Sequence, residues 1–345
     1  MNRSATENVE RQSAGDERVS IVGSAGLTGS RIVPPEEVDR AFNMPVGKLR
    51  KRAGIESLAY AGADETELTL GVRAAQQALA AAACAPRDLD WIIGTSETFH
   101  DYPSLAAQLH SQLKVRENCG ALDVGSACLG LLNALAVAKA LLASGQASCI
   151  CVVTADLHSR TLTPDRVAGE FGGLFGDGAS AFVLRKGDSR MVAAQHSLGS
   201  FFFGCAGQYA DAVRVSDDKD GGLHLTFDGE ALSRAAITRM EKIITEVEQR
   251  SGICRSEVGA FATHQPNPRL VALLAKQCGV PAEVFPPIAK TAGNLGSSTC
   301  GMALHHALLL TSPSGSSGGK AIFLASLGPG LVFGGGWITS ARPPL

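Results

Sequence analysis

The stretch Ala121-Leu-Asp-Val-Gly-Ser-Ala-Cys-Leu-Gly-Leu-Leu-Asn-Ala-Leu135 decides how this chain folds. Gly120 to Ser126 reads as a short apolar strand ending in small residues. From Leu129 to Ala143 only Asn133 and Lys139 interrupt an apolar helix, and a helix apolar on every side belongs inside a protein. Cys128 is therefore expected at a strand-to-helix turn, at the N-terminus of a buried helix. Unpaired amide N–H groups and the helix dipole there favour a thiolate over a thiol. Gly125, Ser126, Ala127 and Gly130 leave room for a substrate to reach the sulfur. A core cysteine is the alternative that this segment alone leaves open.

The composition bounds what surrounds this turn. The 345 residues are 45% hydrophobic with a net charge of −2, enough for one large core or two fused ones. No long basic run points to nucleic acid or a membrane surface. The nine cysteines are odd in number and scattered, which indicates reduced thiols of a cytoplasmic protein and not a disulfide framework. Cys149 and Cys151 alternate on an expected strand with no second pair nearby, so no metal site is expected. Residues 1–18 are polar and charged, read as a disordered tail and not a signal peptide. Polar residues punctuate every apolar run before it reaches bilayer length.

Along the chain, apolar strands alternate with helical spacing, the pattern of an α/β layered fold. Expected strands include Val19–Ser24, Leu89–Thr95, Cys149–Thr154 and the run after the Gly176 turn. Helices are expected over Pro34–Arg52, Thr66–Ala83 and from Tyr102 to Leu113. The second half echoes the first. Gly259–His264 stands where Leu89–Thr95 stood, Gly293–Leu304 mirrors the Cys128 turn, Lys320–Ser326 mirrors Cys149–Thr154, and Leu327–Gly334 mirrors the Gly176 turn. Two halves follow, 19–188 carrying the cysteine and 189–345 carrying a histidine and an asparagine. In such a duplicated unit the two central helices lie back to back and the turns that start them converge.

Two further residues gain meaning from that convergence. His264 ends a strand just before Gln265-Pro-Asn-Pro268, and proline forces the chain out of the strand at once. Alone it reads more readily as a surface histidine that binds nothing. Asn294 precedes the second apolar helix, where asparagine also serves as an ordinary helix cap. Together with Cys128 they supply a nucleophile and two N–H donors able to hold an oxyanion or enolate.

The sequence resembles the thiolase superfamily, and within it the β-ketoacyl-[acyl-carrier-protein] synthase III (KAS III) family. Four segments carry the resemblance, in the family's order and spacing: Ser126-Ala-Cys-Leu-Gly130, Phe175-Gly-Asp-Gly-Ala179, His264-Gln-Pro-Asn-Pro-Arg269 and Gly293-Asn-Leu-Gly-Ser297. It implies a thiolase-like duplicated five-layer α-β-α-β-α fold and a homodimer. It also implies a Cys128–His264–Asn294 triad without metal or other cofactor. In that chemistry an acyl thioester, on coenzyme A or a carrier protein, loads Cys128, and a malonyl-carrier-protein then condenses with loss of CO2.

The resemblance places Arg269 against an acidic carrier protein, Arg52 and Arg166 at the entrance for a coenzyme A nucleotide, and Tyr102 in a partner subunit's acyl pocket. Surface arginines and a core or interface tyrosine are the ordinary readings of these positions. There are two departures. Lys48 stands where the family has a tryptophan that stacks on adenine, which favours a carrier-protein donor. The family's Gly-Gly-Gly oxyanion turn reads Gly328-Pro329-Gly330, and proline has no N–H to donate. Type III polyketide synthases share the Gly-Pro-Gly turn but not the His264–Arg269 pattern. Acyl transfer to an alcohol or amine, or a non-catalytic dimer partner, are the rival functions.

Overall fold

The computed structural model describes residues 18–187, 196–217 and 223–340. The expected tail, apart from Arg18, and the expected boundary at 188–189 lie outside the described residues.

Among the described residues, ten strands form one sheet. In chain order they are β1 (Val19–Thr28), β2 (Trp91–Thr95), β3 (Gly120–Asp123), β4 (Cys149–Leu157), β5 (Asp177–Lys186), β6 (His196–Leu198), β7 (Phe202–Cys205), β8 (Ala260–Thr263), β9 (Ile322–Gly328) and β10 (Val332–Ser340). They lie in the order β8–β9–β10–β6–β1–β5–β4–β2–β3, with β7 also paired to β10. One pattern occurs twice. β2 runs parallel to β4, and β4 antiparallel to β5. Likewise β8 runs parallel to β9, and β9 antiparallel to β10. The two units meet where β1 pairs with β6, Ser20 opposite Ser197.

Among the described residues, six longer helices cover the sheet: α1 (Glu67–Ala81), α2 (Leu105–Leu113), α3 (Gly130–Ala143), α4 (Gly229–Ser251), α5 (Pro268–Cys278) and α6 (Ser297–Thr311). Every residue of β4 is buried, as its unbroken apolar run demands of a strand covered on both faces. Ile150 and Val152 point towards α3 and α6, whereas Cys149, Cys151 and Val153 point towards α1 and α2. β9 repeats this alternation, with Ile322 and Leu324 facing the central helices and Phe323 and Ala325 facing α4 and α5. The period of two thus sorts each strand between two layers. The result is the duplicated five-layer α-β-α-β-α fold, α1/α2 and α4/α5 outside, α3 and α6 in the middle.

Glycine sets how closely the central helices approach the sheet. A Cβ on Gly130 would stand 2.1 Å from Thr95 Oγ1, and one on Gly301 1.9 Å from Ser180 Oγ. Only a residue without a side chain fits there.

Two expectations change. Pro34–Arg52 is not one helix: a helix at Pro35–Ala41 ends, and a short helical turn forms at Leu49–Ala53. Between them Asn43 and Gly47 take positive φ, while the buried Asp39 carboxylate accepts from the Gly47 and Leu49 amides at 2.7 and 3.1 Å. The strand before Cys128 ends at Asp123 and lies on the sheet's edge, with Leu122 38% exposed. Its apolar composition suits a surface that another strand can cover. Among the described residues, no helix is long and apolar enough to cross a membrane, and no group of His, Cys, Asp or Glu is placed to hold a metal.

Candidate active site

Cys128 sits in a single helical turn, Ala127–Leu129, that leads into α3. Ser126 (φ 105) and Ala127 (φ 47) both adopt positive φ, which costs residues with a side chain about 1–3 kcal/mol each. Tertiary contacts hold the strained turn. Ser326 Oγ at the end of β9 donates to the Cys128 carbonyl at 2.7 Å, and Asn133 Nδ2 on α3 donates to the Gly125 carbonyl at 3.2 Å. Gly328 is packed against the same turn: a Cβ there would stand 3.3 Å from the Ser126 carbonyl oxygen.

His264 follows β8 directly, and its amide donates to the Ala325 carbonyl of β9 at 3.2 Å. Its ring Nδ1 is buried without a partner. Burial holds the imidazole down to about 4, so the ring is neutral at neutral pH. Asn294 is 4% exposed. Its backbone joins the Gly176 loop, donating to the Leu174 carbonyl and accepting from the Gly176 amide, both at 2.9 Å. The Phe175–Ala179 motif therefore works structurally, by placing Asn294. Asp177 is pinned in turn, accepting from the Ala61 amide at 2.6 Å and the Ser159 amide at 2.8 Å. The Asn294 side-chain oxygen accepts from the Gly296 amide and from Thr299 Oγ1, both at 3.0 Å. Both lone pairs of that oxygen are occupied, which leaves the NH2 as the group available to a ligand.

Cys128, His264, Asn294, Gly328 and Pro329 all line one cavity of about 210 Å³, walled mainly by apolar side chains from α4 and α5, among them Ile237, Met240 and Leu274. Arg52, Arg166, Arg269, Tyr102 and Gly330 do not line it. Arg166 donates to the Thr161 carbonyl at 3.1 Å. Arg269, exposed on α5, donates to the Lys51 carbonyl at 3.2 Å, beside the exposed Arg52. Tyr102 is 95% exposed. Lys48 is paired with Glu170.

One residue of this cavity escaped sequence reasoning. Glu97, two residues beyond β2, lines it as well. Its Oε2 meets His158 Nε2 at 3.3 Å, and its amide donates to Asp156 Oδ1 at 2.6 Å. Asp156 also accepts from Ser297 Oγ (2.6 Å) and from the Ser298 amide (2.9 Å) and Oγ (2.8 Å), fastening the end of β4 to the start of α6. The internal repeat held the signal: Glu97 leaves β2 nearly where His264 leaves the matching β8.

The expected thiolate is corrected. Burial pushes the Cys128 thiol well above its ordinary range, and the charges of Glu97 and Asp156 push it further. Desolvation and two nearby anions outweigh one turn of helix dipole. Burial would also raise Glu97, but the hydrogen bond and charge of His158 more than offset this and hold it below the usual carboxylate value. The resting site is thus a thiol beside a carboxylate, with neutral His264.

The 3-Oxoacyl-[acyl-carrier-protein (ACP)] synthase III family matches residues 122–201, and its C-terminal domain matches residues 249–339. The beta-ketoacyl-[acyl-carrier-protein] synthase III of Sodalis glossinidius is 30% identical over 319 residues, 91% of this chain and 97% of that protein. Among solved structures, the priming β-ketosynthase of the R1128 polyketide pathway superposes with a TM-score of 0.83 at 26% identity, over 96% of this chain and 99% of its own. The 3-oxoacyl-(acyl carrier protein) synthase III of Pseudomonas aeruginosa gives 0.81 at 25% identity, over 95% and 100%.

Proposed function

We propose, on the premise that this chain belongs to the β-ketoacyl-[acyl-carrier-protein] synthase III family and is an acyltransferase, that Cys128 takes an acyl group from a thioester and passes it to a decarboxylating malonyl-carrier-protein. Loading forms a C–S bond at Cys128 and releases the donor's thiol. The malonyl thioester then loses CO2, and its C–C bonding electrons move into an enolate. The enolate carbon attacks the acyl-enzyme carbonyl, a new C–C bond forms, and the bond to Cys128 sulfur breaks. The thioester supplies the activation.

The observation that carries this reading is the fixed Asn294 amide. With its oxygen occupied by Gly296 and Thr299, the amide offers N–H to the cavity that holds Cys128 and His264. His264, kept neutral by burial, supplies a second donor without a competing charge. Two fixed donors on the enolate oxygen are what decarboxylation requires of the protein.

The donor is proposed to be carried on a protein. Lys48, in the place of an adenine-stacking ring, is engaged with Glu170, while Lys51, Arg52 and Arg269 form an exposed basic surface suited to an acidic carrier. A homodimer is proposed through the exposed edge strand β3. The test is product mass after an acylated enzyme meets malonyl-carrier-protein. A 3-oxoacyl product with CO2 release supports the reading. An ester or amide, formed only when an alcohol or amine is present, would replace it with acyl transfer.

A further inference from the structure

We propose that Glu97 is a fourth catalytic residue, the base that takes the proton of the Cys128 thiol as the acyl group loads. The proposal rests on the thioester chemistry above and adds a step that chemistry leaves open. A buried thiol cannot attack a thioester without losing its proton, and the site must hold an acceptor for it.

Glu97 and Cys128 line the same cavity, and the carboxylate's charge acts directly on the thiol. Its two oxygens have different surroundings. Oε2 is engaged by His158 Nε2 at 3.3 Å. Oε1 is buried and receives no hydrogen bond from the protein, although buried carboxylate oxygens are ordinarily satisfied. Gly296 makes room for it: a Cβ there would stand 2.9 Å from Oε1 and 2.3 Å from His158 Cε1. The Asp156 contact holds the Glu97 backbone, and the His158 ring packs tilted against Phe175, with ring centroids 4.6 Å apart. The carboxylate is thus a fixed acceptor with one open oxygen, the arrangement expected of a general base. His264, neutral and poorly basic in its buried setting, is not the acceptor of this proton.

The step balances. As Cys128 sulfur bonds to the thioester carbonyl carbon, the S–H bond breaks and its proton passes to Glu97 Oε1. The tetrahedral oxyanion collapses, the C–S bond to the donor breaks, and the departing thiolate takes the proton from Glu97. The products are the acyl-enzyme, a free thiol and ionised Glu97. Sulfur need not ionise first, because its proton becomes strongly acidic as the new bond forms. The groups facing Glu97 are Cys128, His158, Asp156 and His264. His158 is a positioning residue that keeps Glu97 ionised.

The test pairs two reactions of the same thiol. Single-turnover loading from an acyl-carrier-protein or acyl-coenzyme A donor is followed by intact mass, and alkylation by iodoacetamide is followed against pH. Glu97→Gln should slow loading by about 10²-fold or more. The same variant should alkylate faster at neutral pH, because a negative charge beside the thiol is gone. Unchanged loading, or a parallel slowing of both reactions, would overturn the proposal. Should Glu97→Gln fail to fold, His158→Gln gives a second reading: the acid limb of loading must move to higher pH, and an unmoved limb overturns the proposal equally. If the native enzyme loads no donor at all, the acyl-enzyme reading fails and this inference with it. If it loads and both variants match it, only the role of Glu97 is lost.

Discussion

Replacing Asn294 by alanine removes one N–H donor while leaving Cys128 and its strained turn in place. Loading of Cys128 should persist, and condensation with malonyl-carrier-protein should fall by about 10²–10³-fold. Single-turnover assays of the two half-reactions check this, and an equal loss in both would contradict a role specific to the enolate. At this scale the sequence was partly legible. Cys128, His264 and Asn294 stood out because each is a reactive or polar side chain at the end of an apolar element. Glu97 did not, since a carboxylate in Thr95-Ser-Glu-Thr-Phe99 looks like any loop residue until three strand ends meet around it. The thiolate expectation failed for a related reason. A helix dipole is a local property that sequence reveals, whereas burial and the anions of Glu97 and Asp156 are tertiary.

Elements were read best where one periodicity ran without competition. α3 is apolar on every face and lies in the middle layer, as its composition requires. The Pro34–Arg52 segment shows the limit, because helical spacing continues across Asn43 and Gly47 although positive φ at both breaks the helix. β3 shows another. Its sequence resembles a buried strand, yet it lies at a sheet edge with Ala121, Leu122 and Asp123 exposed. Apolar edge strands invite pairing, which motivates the dimer prediction. The native protein should sediment as two chains at micromolar concentration. Leu122→Arg should shift it towards one chain, since it sets like charges against each other across a two-fold axis. A native protein that sediments as a single chain would refute that assembly.

For the whole molecule, the repeated strand pattern was legible because both halves place similar turns at similar intervals. Which surfaces meet between the halves was not. One buried joint makes a prediction about acid stability. His196 on β6 donates through Nε2 to Thr311 Oγ1 at 3.1 Å, because that hydroxyl itself donates to the Ala307 carbonyl at 2.8 Å. Burial holds His196 down to about 4. In the unfolded chain it would protonate near 6.5, so the unfolded state binds more protons between these values. The stability contribution is full above about 6.5 and is lost as pH falls towards 4, amounting to roughly 3 kcal/mol at most. His264 has the same sign. Melting temperature against pH should fall across that window, and His196→Gln should flatten the decline. An equally steep decline in the variant would assign the acid sensitivity elsewhere.

The most direct test is intact-protein mass spectrometry after exposure to panels of acyl-carrier-protein and acyl-coenzyme A thioesters, with Cys128→Ala alongside. At least one donor should add the mass of its acyl group to the native chain and nothing to the variant. A native chain left unmodified by a panel that labels an active relative, or a variant labelled as fully as the native chain, would contradict an acyl-enzyme at Cys128.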